Sequence, residues 1–560
     1  MNKKSILSIL VLCIIAIGIL SGCGGNSGAD TTQKPEAKEP EETKITAPAD
    51  KEVAMMFANT PYCDPAVGTD EASVALFPNV YDTLVFPNTK GEVIPWVAKD
   101  WTVSDDGLVY TFNLRDDITF HNGDKLTASD VKFSMDRLNT IGEGFAYLYK
   151  DKVDKAEVVN DTQVKITLKE IYGPFVSTLV RLYILSEDEV MANVKKDGTY
   201  GDKGDYGKAY LVDHDAGSGP YTITEYIASK HVMGKKYANY WSGFEEGNPE
   251  GFRLMASPET ITVKTMMSRR EAEITDFYQP MEAYAEMDAM DGIDLTSYNS
   301  GSMMYITMNN KKEPTDDIHF RKAIAHLIDS ATVCESIFKG SVPAKGMITS
   351  IVAGADKENQ LLKCDLEAAK NELEQSKYAD KLDSIEYTIY WVAETPEREK
   401  LALYLQSQAS KIGLKVKVEK VPWLKLVEDA ANSETTPNSA TVLTSVGYAE
   451  AGSQLVASYL SKNEGSGTWE SLDWYSNPEF DSIVNDAMTT IDFDERIEKY
   501  KKAQKMMLDN YITVPVFEIA EIHAYQSGYL DWETANLANS GKPVNPVLGY
   551  AYFLKGMKFK

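Results

Sequence analysis

The sequence contains few of the residues that typify metal proteins, disulfide-rich proteins and nucleic-acid-binding proteins. It has six histidines and five cysteines in 560 residues, and no pair of cysteines has CxxC spacing. His319 and His326 do not form an HExxH motif, so neither a metal site nor another cofactor is predicted. Positive charge is also scarce, because 57 basic residues face 84 acidic ones. The resulting net charge of -27 opposes binding to nucleic acid and to anionic lipid headgroups.

Long apolar runs are nearly absent, and the one that occurs lies at the N-terminus. Residues 5–20 are almost wholly apolar, whereas a membrane-spanning helix needs about 20 such residues. Lys3 and Lys4 precede the run and small residues follow it, which is the order of parts in a secretory signal peptide. The sequence therefore predicts that residues 1–22 are a signal peptide.

A single cysteine, Cys23, stands where the small residues end, in the stretch Leu20-Ser21-Gly22-Cys23. This stretch resembles the lipobox of bacterial lipoproteins, in which the chain is cut before the cysteine and the cysteine then carries lipid. The alternatives are a plain signal peptide and an uncleaved anchor, in which Cys23 has no role. The residues after Cys23, up to residue 50, are mainly Gly, Ser, Thr, Pro, Glu and Lys, a composition that predicts a flexible tether.

The remaining chain has the composition of a globular protein with two or three lobes. It is 43% hydrophobic and 10% aromatic, and it is too long for a single core. Apart from Cys13 in the signal peptide and Cys23, only Cys63, Cys334 and Cys364 remain, so we expect at most one disulfide.

Helical and strand patterns alternate along the chain, which predicts an α/β fold without solenoid repeats. Asp106-Gly107 separates two alternating runs and predicts a hairpin, and Thr127 begins a helix-capping pattern. Other apolar periodicities predict helices over 399–412, from Asn477-Pro478 onwards and over 494–510. A half-exposed strand is predicted over 414–421, after a helix-ending glycine, Gly413.

Residues 91–138, "GEVIPWVAKDWTVSDDGLVYTFNLRDDITFHNGDKLTASDVKFSMDRL", resemble the signature of the extracellular solute-binding proteins of family 5. These are the oligopeptide- and dipeptide-binding lipoproteins of ABC importers. Further resemblances occur in the family's order in segments 63–66, 80–84, 217–221, 306–309, 321–329 and 475–500. Together they cover nearly all of the chain after the tether.

The resemblance implies a bilobed α/β protein of the type II periplasmic-binding-protein class, with an additional small domain inserted in the first lobe. Ligand would lie between two lobes that close about a hinge, and the closed form would dock on a membrane permease. The implied boundaries are 1–22 for the signal peptide, 23–50 for the lipidated cysteine and tether, 51–83, 186–302 and 516–560 for lobe I, 84–185 for the inserted domain, and 303–515 for lobe II.

The family resemblance also points to a ligand-binding loop at residues 444–454. In peptide-binding members this loop carries an aspartate that pairs with the free amine of the peptide. Here the aspartate is missing, and Glu450 is the only nearby carboxylate. One hypothesis is that Glu450 binds an ammonium group and Tyr448 stacks on the ligand. The alternative is that Glu450 is a solvated loop residue and Tyr448 packs in the core.

Aromatic residues supply the other candidate ligand contacts. Tyr62 lies in a loop that lines the cleft from lobe I in this family, although it could equally cap the core. Trp391, Trp423 and Trp469 belong to lobe II and could offer a large contact surface with one N–H donor, or could simply pack in the core. Trp469 is the strongest tryptophan candidate because its surroundings, "NEGSGTWE", are typical of a loop.

The sequence therefore predicts a binding protein and not an enzyme. It contains no G-x-S-x-G elbow, P-loop or HExxH motif, which weighs against an extracellular hydrolase, and an adhesin is a further alternative. We expect a monomer that works with an ABC permease and its ATPase subunits on the outer face of the cytoplasmic membrane. Peptides are the expected ligands, and nickel chelates and oligosaccharides are the alternatives.

Overall fold

Strands and helices alternate along most of the chain, as predicted. The computed structural model describes residues 45–393, 395, 397–465 and 472–560, without the side chain of Ser300. The strands are β1 Glu52–Phe57, β2 Val85–Pro87, β3 Val93–Pro95, β4 Ala98–Val103, β5 Val109–Leu114, β6 Val153–Asn160, β7 Gln163–Leu168, β8 Tyr221–Ile227, β9 His231–Lys236, β10 Gly251–Ala256, β11 Asp294–Met308, β12 Val342–Pro343, β13 Tyr387–Val392, β14 Val416–Val421, β15 Ser439–Ser445, β16 Thr513–Tyr525, β17 Leu530–Trp532 and β18 Met557–Phe559. The helices are α1 Glu71–Val80, α2 Ala128–Ile141, α3 Phe175–Thr178, α4 Glu187–Ala192, α5 Thr260–Arg269, α6 Met281–Asp288, α7 Ile318–Ala325, α8 Ser330–Ser336, α9 Leu366–Gln375, α10 Glu397–Ser410, α11 Trp423–Asp429, α12 Gly452–Tyr459, α13 Pro478–Met488, α14 Phe493–Asp509 and α15 Glu533–Asn539.

Two sheets form the frame of the molecule. The lobe I sheet has the strand order β1-β10-β9-β8, and the lobe II sheet has the order β12-β16-β11-β15-β13-β14. A short strand at Ile274 joins them, because it pairs in parallel with Met55 of β1 and antiparallel with Tyr525 of β16. The two sheets are therefore linked through hydrogen-bonded backbone.

The long strands β11 and β16 are neighbours in the six-stranded sheet. They pair antiparallel along most of their length, but the pairing is irregular between Asn299 and Met303. Gly301 lies in this irregular stretch with a φ of 79°, a conformation that side chains with a Cβ rarely adopt. The predicted lobe borders at 302/303 and 515/516 fall inside these two strands.

A separate antiparallel sheet, in the order β4-β5-β7-β6, is built entirely from residues of the predicted inserted domain. The pairing of β4 with β5 confirms the hairpin at Asp106-Gly107, where Gly107 has a φ of 71°. Contacts divide the chain only between Lys44 and Ile45, and residues 45–560 form one compact unit. The inserted domain as a distinct unit therefore stays a prediction.

Local sequence signals located most of the helices that they predicted. Thr127 forms a capping box at the start of α2, since its hydroxyl accepts from the helix backbone and Asp130 bonds back to its N–H. Asn477 caps α13, whose first residue is Pro478. Helix α14 and strand β14 lie within about one or two residues of their predicted bounds.

The folded part begins earlier than predicted, because Ile45 and Ala47 already pack against the core. The signal peptide, Cys23 and most of the predicted tether lie outside the described residues. No helix among the described residues is long and apolar enough to cross a membrane. Cys63, Cys334 and Cys364 are free thiols in this structure, so the single disulfide that the sequence allowed is not formed.

Candidate functional site

The carboxyl ends of three parallel strands meet at one edge of the lobe I sheet. Strand β1 pairs in parallel with β10 and with the short strand at Ile274. Helix α1 is the next element after β1, at the end of the loop 58–70, with Asp70 as its N-cap and Glu71 as its first residue. In open α/β sheets, ligands bind outside the carboxyl ends of the strands. We therefore treat this edge, which we call the lobe I edge, as the candidate site.

Tyr62 lies at the lobe I edge, in the loop that follows β1. Its backbone N–H donates to the Ser73 hydroxyl at 2.8 Å, and its side chain is 55% exposed. The loop is anchored by a buried ion pair, in which Arg137 donates to both carboxylate oxygens of Asp64 at 2.6 and 2.7 Å. A fixed backbone thus presents an open aromatic ring, and ligand contact by Tyr62 stays a prediction.

Two carboxylates share one hydroxyl donor beside this loop. The Tyr552 hydroxyl lies 3.1 Å from Oε1 of Glu71 and 3.2 Å from Oε2 of Glu521. Tyr298 donates to the same oxygen of Glu521 at 2.9 Å. Since Tyr552 has one proton, it can serve only one of the two carboxylates at a time.

His523 completes this group of side chains. Its Nδ1 lies 2.7 Å from the backbone carbonyl of Thr275, so in the neutral ring the proton is on Nδ1. Nε2 is then an acceptor, 3.3 Å from the hydroxyls of Tyr298 and Tyr552. Neutral His523 therefore competes with Glu71 and Glu521 for the same two protons.

Burial of acidic side chains shifts the pKa values of the groups at this edge. Burial raises the pKa of Glu71 well above its ordinary value, and the nearby Glu521 carboxylate raises it further. Burial also raises the pKa of Tyr278, and the Glu71 and Glu521 carboxylates add to the effect. Tyr278 follows the short strand and its side chain is 58% exposed.

Asp276 lies at the same edge, but both of its carboxylate oxygens accept hydrogen bonds, unlike those of Glu71. Its Oδ1 accepts the backbone N–H of Tyr278 at 2.7 Å, and its Oδ2 accepts from the Ser257 hydroxyl and from Nε2 of Gln279 at 2.8 Å. These bonds fix the turn that carries Tyr278. Asp276 therefore shapes the edge and adds negative charge to it.

The loop around Glu450 has a different arrangement from the predicted one. Glu450 is 2% exposed, and Arg496 donates to both of its oxygens, from Nε at 2.8 Å and from Nη2 at 3.0 Å. The Ser177 hydroxyl donates to Oε1 at 2.6 Å. In this conformation the carboxylate neutralises Arg496, so its assignment as a ligand anchor stays a prediction.

The same loop packs against the segment that contains α3. Arg181 donates from Nε to the carbonyl of Gly447 at 3.1 Å. Tyr448 is only 2% exposed and lies beside Tyr172. Burial raises the pKa of the Tyr448 phenol, and Tyr172 adds to this shift. The ring of Tyr448 occupies a packing position here, and its contact with ligand likewise stays a prediction.

Two of the three candidate tryptophans lie among the described residues. Trp391 is 5% exposed in β13 and packs in the lobe II core, with the Lys420 ammonium 5.2 Å from its ring centre. Trp423 begins α11 and is half-buried. Trp469 lies outside the described residues.

The described residues contain no group of His, Cys, Asp and Glu side chains that could hold a metal ion. A cavity of about 270 Å³ lies against His121, Asp215 and His214. Its polar wall is internally paired, since His121 bonds Asp215 at 2.5 Å and the carbonyl of Gly219 at 2.9 Å. Burial lowers the pKa of His121, but the Asp215 carboxylate outweighs it and the net shift is upward.

Sequence reasoning proposed Tyr62 as a candidate but did not point to the other groups at the lobe I edge. Glu71, Glu521 and Tyr552 are far apart in the chain, and no local motif links them. Glu71 looks like an ordinary first-turn helix glutamate, and Glu521 lies in a strand of mostly apolar residues. The only available signal was a charged residue in an otherwise buried strand.

Comparison with known proteins gives a family match over most of the chain. Residues 92–466 match the model described as bacterial extracellular solute-binding proteins, family 5. A curated relative, the probable D,D-dipeptide-binding periplasmic protein DdpA of Escherichia coli (strain K12), is 26% identical over 490 residues. The matched region covers 84% of this chain and 89% of DdpA.

Solved structures share the fold. The ABC transporter substrate-binding protein CtaP from Listeria monocytogenes is 21% identical, with a TM-score of 0.76, covering 91% of this chain and 99% of CtaP. NikZ from Campylobacter jejuni, in complex with Ni(L-His), is 18% identical, with a TM-score of 0.72, covering 91% of this chain and 99% of NikZ. These similarities confirm the bilobed α/β fold that the sequence predicted.

Proposed function

This chain belongs to family 5 of the bacterial extracellular solute-binding proteins, and we propose that it captures a peptide-like solute for an ABC importer. The observation that carries this proposal is the lobe I edge. There, the Tyr62 ring is exposed, and the buried polar groups of the same edge lie beside the paired strands β11 and β16. Peptide as the ligand class is supported by the D,D-dipeptide-binding relative.

Capture would proceed by closure of the two lobes about the irregular stretch of β11 and β16. Hinges absorb backbone rotation at a few residues, and Gly301 supplies conformational freedom in this stretch. The closed, ligand-bound monomer would then dock on a membrane permease that is driven by ATPase subunits. No step in this cycle changes a covalent bond of the solute.

The N-terminal segment would hold the protein at the membrane surface. Lipid on Cys23 would anchor the chain to the outer face of the cytoplasmic membrane, and the polar residues that follow would act as a tether. Such an arrangement keeps a binding protein close to its permease. The protein would be extracellular in a cell without an outer membrane and periplasmic in a cell that has one.

Mass spectrometry of small molecules released from the purified, denatured protein tests the ligand class. We expect peptides of a few residues in the released fraction. Recovery of a sugar or a metal chelate, with no peptide, would exclude a peptide-like solute. A protein that releases nothing and gives no saturable change in tryptophan fluorescence with tripeptides would also contradict the proposal.

A non-peptide solute is the second candidate. It is favoured by the 444–454 loop, which lacks the aspartate of peptide-binding relatives and whose Glu450 is paired with Arg496. It is also supported by NikZ, which shares the fold and is described in complex with Ni(L-His). The same release experiment distinguishes this candidate from a peptide.

A further inference from the structure

The lobe I edge gathers three carboxyl groups that have no lysine or arginine partner among the described residues. Glu521 is 3% exposed, and a buried carboxylate normally has a charged or strongly donating partner. Among the described residues, no lysine or arginine forms an ion pair with Glu71, Asp276 or Glu521. The nearest basic group is His523, whose Nε2 lies 3.7 Å from Oε2 of Glu521.

Hydrogen-bond donors at this edge are also too few. The hydroxyl protons of Tyr298 and Tyr552 are shared among Oε1 of Glu71, Oε2 of Glu521 and Nε2 of His523. Oε2 of Glu71 is buried without a hydrogen bond of ordinary geometry, and the nearby Tyr278 phenol also interacts with the Glu71 carboxyl. The hydrogen bonds that Glu521 accepts from described side chains go to Oε2, which leaves Oε1 available.

Another side chain of the lobe I edge repeats this surplus of acceptors. Oε1 of Gln279 is buried and lacks a partner among the described residues, although Nε2 of the same amide is bonded to Asp276. Native proteins leave few buried polar atoms unpaired, and a group of them at one place points to a missing donor.

We propose that Glu71 and Glu521 form a subsite for a protonated amine of the transported solute. The inference rests on the proposed solute-binding function and names the chemical class of ligand for that site. An ammonium group has one positive charge and three N–H donors. It would therefore give the carboxyl groups of this edge both a cationic partner and further hydrogen-bond donors. The exposed ring of Tyr278 adds an aromatic face on which a cation binds favourably.

Protonation of Glu71, without any bound amine, would satisfy fewer of the unpaired atoms at this edge. Protonation of Glu71 would relieve its repulsion from Glu521 and would supply one donor. It would add only one donor, whereas Glu521 would still have no lysine or arginine partner and Oε1 of Gln279 also lacks a partner. The amine-binding subsite also differs in place from the predicted one, because Glu450 belongs to lobe II and is already paired with Arg496.

The test uses a defined mixture of probes and three variants of the full chain. The mixture contains tripeptides without lysine or arginine and with free amino termini, the same tripeptides N-acetylated, agmatine as a non-peptide cation, and maltotriose as a neutral solute. Retained compounds are identified by mass spectrometry, and their affinities are measured by calorimetry. The variants are Glu71→Gln and Glu521→Gln, with Glu273→Gln as the matched control.

Glu273 is a suitable control because it is a buried lobe I glutamate whose two oxygens are both bonded. They accept from the Ala54 N–H at 2.8 Å and the Tyr529 hydroxyl at 2.9 Å. We expect only compounds with a free amine or guanidinium to be retained. We expect Glu71→Gln and Glu521→Gln to weaken their binding about tenfold or more, with little change for Glu273→Gln.

The outcomes separate this inference from the proposed function. Equal retention of N-acetylated and free tripeptides would overturn the amine subsite and leave peptide transport standing. Retention of agmatine without tripeptides, with loss in Glu71→Gln, would support the subsite and contradict peptide transport. Failure to retain either kind of cation would overturn the subsite.

Thermal unfolding without ligand distinguishes a binding role from a structural one. Replacing a buried carboxyl that lacks a full set of hydrogen bonds should leave the Tm of Glu71→Gln unchanged or raise it, because binding sites commonly trade stability for function. A clear fall in Tm together with the loss of binding would make Glu71 a structural residue and overturn the inference.

Discussion

Glu450 and Arg496 form a buried, two-pronged ion pair that ties a loop of lobe II to helix α14. The guanidinium donates from Nε and Nη2 to the two carboxylate oxygens, at 2.8 and 3.0 Å, and the two side chains are 2% and 4% exposed. Ser177, from the predicted inserted domain, donates to the same carboxylate. The loop that the family resemblance assigned to ligand binding therefore also stabilises the packing of this chain.

We expect Glu450→Ala to destabilise the protein by about 3–5 kcal/mol, because it leaves the Arg496 guanidinium buried without a counter-charge. Urea-induced unfolding of the purified protein measures this change. Glu498→Ala is the control, since Glu498 is 70% exposed and its ion pair with Lys501 should contribute less than about 1 kcal/mol. Unchanged stability with about tenfold weaker solute binding would instead restore Glu450 as a ligand anchor.

Tyr62→Ala should weaken solute binding without affecting the fold. The side chain is 55% exposed, so little packing is lost, whereas an aromatic contact with ligand contributes about 0.5–1.5 kcal/mol. Calorimetry with the solute recovered from the native protein should give an affinity lower by about three- to tenfold. Leu424→Ala, at a side chain that is 79% exposed, controls for loss of exposed apolar surface. Equal affinities for the two variants would remove Tyr62 from the binding site.

Cys23→Ala should release the protein from the membrane. Without the cysteine no lipid can be attached, and the signal peptide can only direct secretion. Fractionation of cells that express the full chain should find the variant in the soluble extracellular or periplasmic fraction. Cys364→Ala, which changes a half-buried thiol in lobe II, should stay with the membrane. Retention of both variants would show that the anchor is not lipid on Cys23.

Stability should decrease as the pH rises from about 4.5 to 7, in part because of Glu273. Burial raises the pKa of Glu273 to about 7, so the folded state binds its proton more tightly than the unfolded state does. The stabilisation is complete below the unfolded pKa and is lost as the pH rises through the folded one. Burial likewise raises the pKa of Asp82 to about 6, which acts in the same direction.

Glu273→Gln removes the titrating group and should flatten this pH dependence. Urea unfolding midpoints at pH 5 and pH 8 should differ less in the variant than in the natural protein. The same difference in both proteins would assign the pH dependence to other groups.

Much of the local structure could be predicted because its causes lie within a few residues. The capping box at Thr127, the proline after Asn477 and the Asp106-Gly107 turn each depend on neighbours in the chain. Side-chain hydrogen bonds to the backbone and restricted φ values act at this range, so a short stretch is sufficient to recognise them. The family signature added the bilobed arrangement, which no local pattern contains.

The candidate site could not be predicted in the same way. Glu71, Glu521 and Tyr552 come from a helix N-terminus, the long strand β16 and the C-terminal segment, and only the fold places one hydroxyl within 3.2 Å of both carboxylates. The role of Glu450 depends on Arg496, whose position on a later helix is not apparent from the loop itself. The sequence by itself predicted a secretion signal, several helix and strand positions and the family. The tertiary structure decided which charges are buried and which of them have partners, because burial and pairing depend on contacts between residues that are distant in the chain.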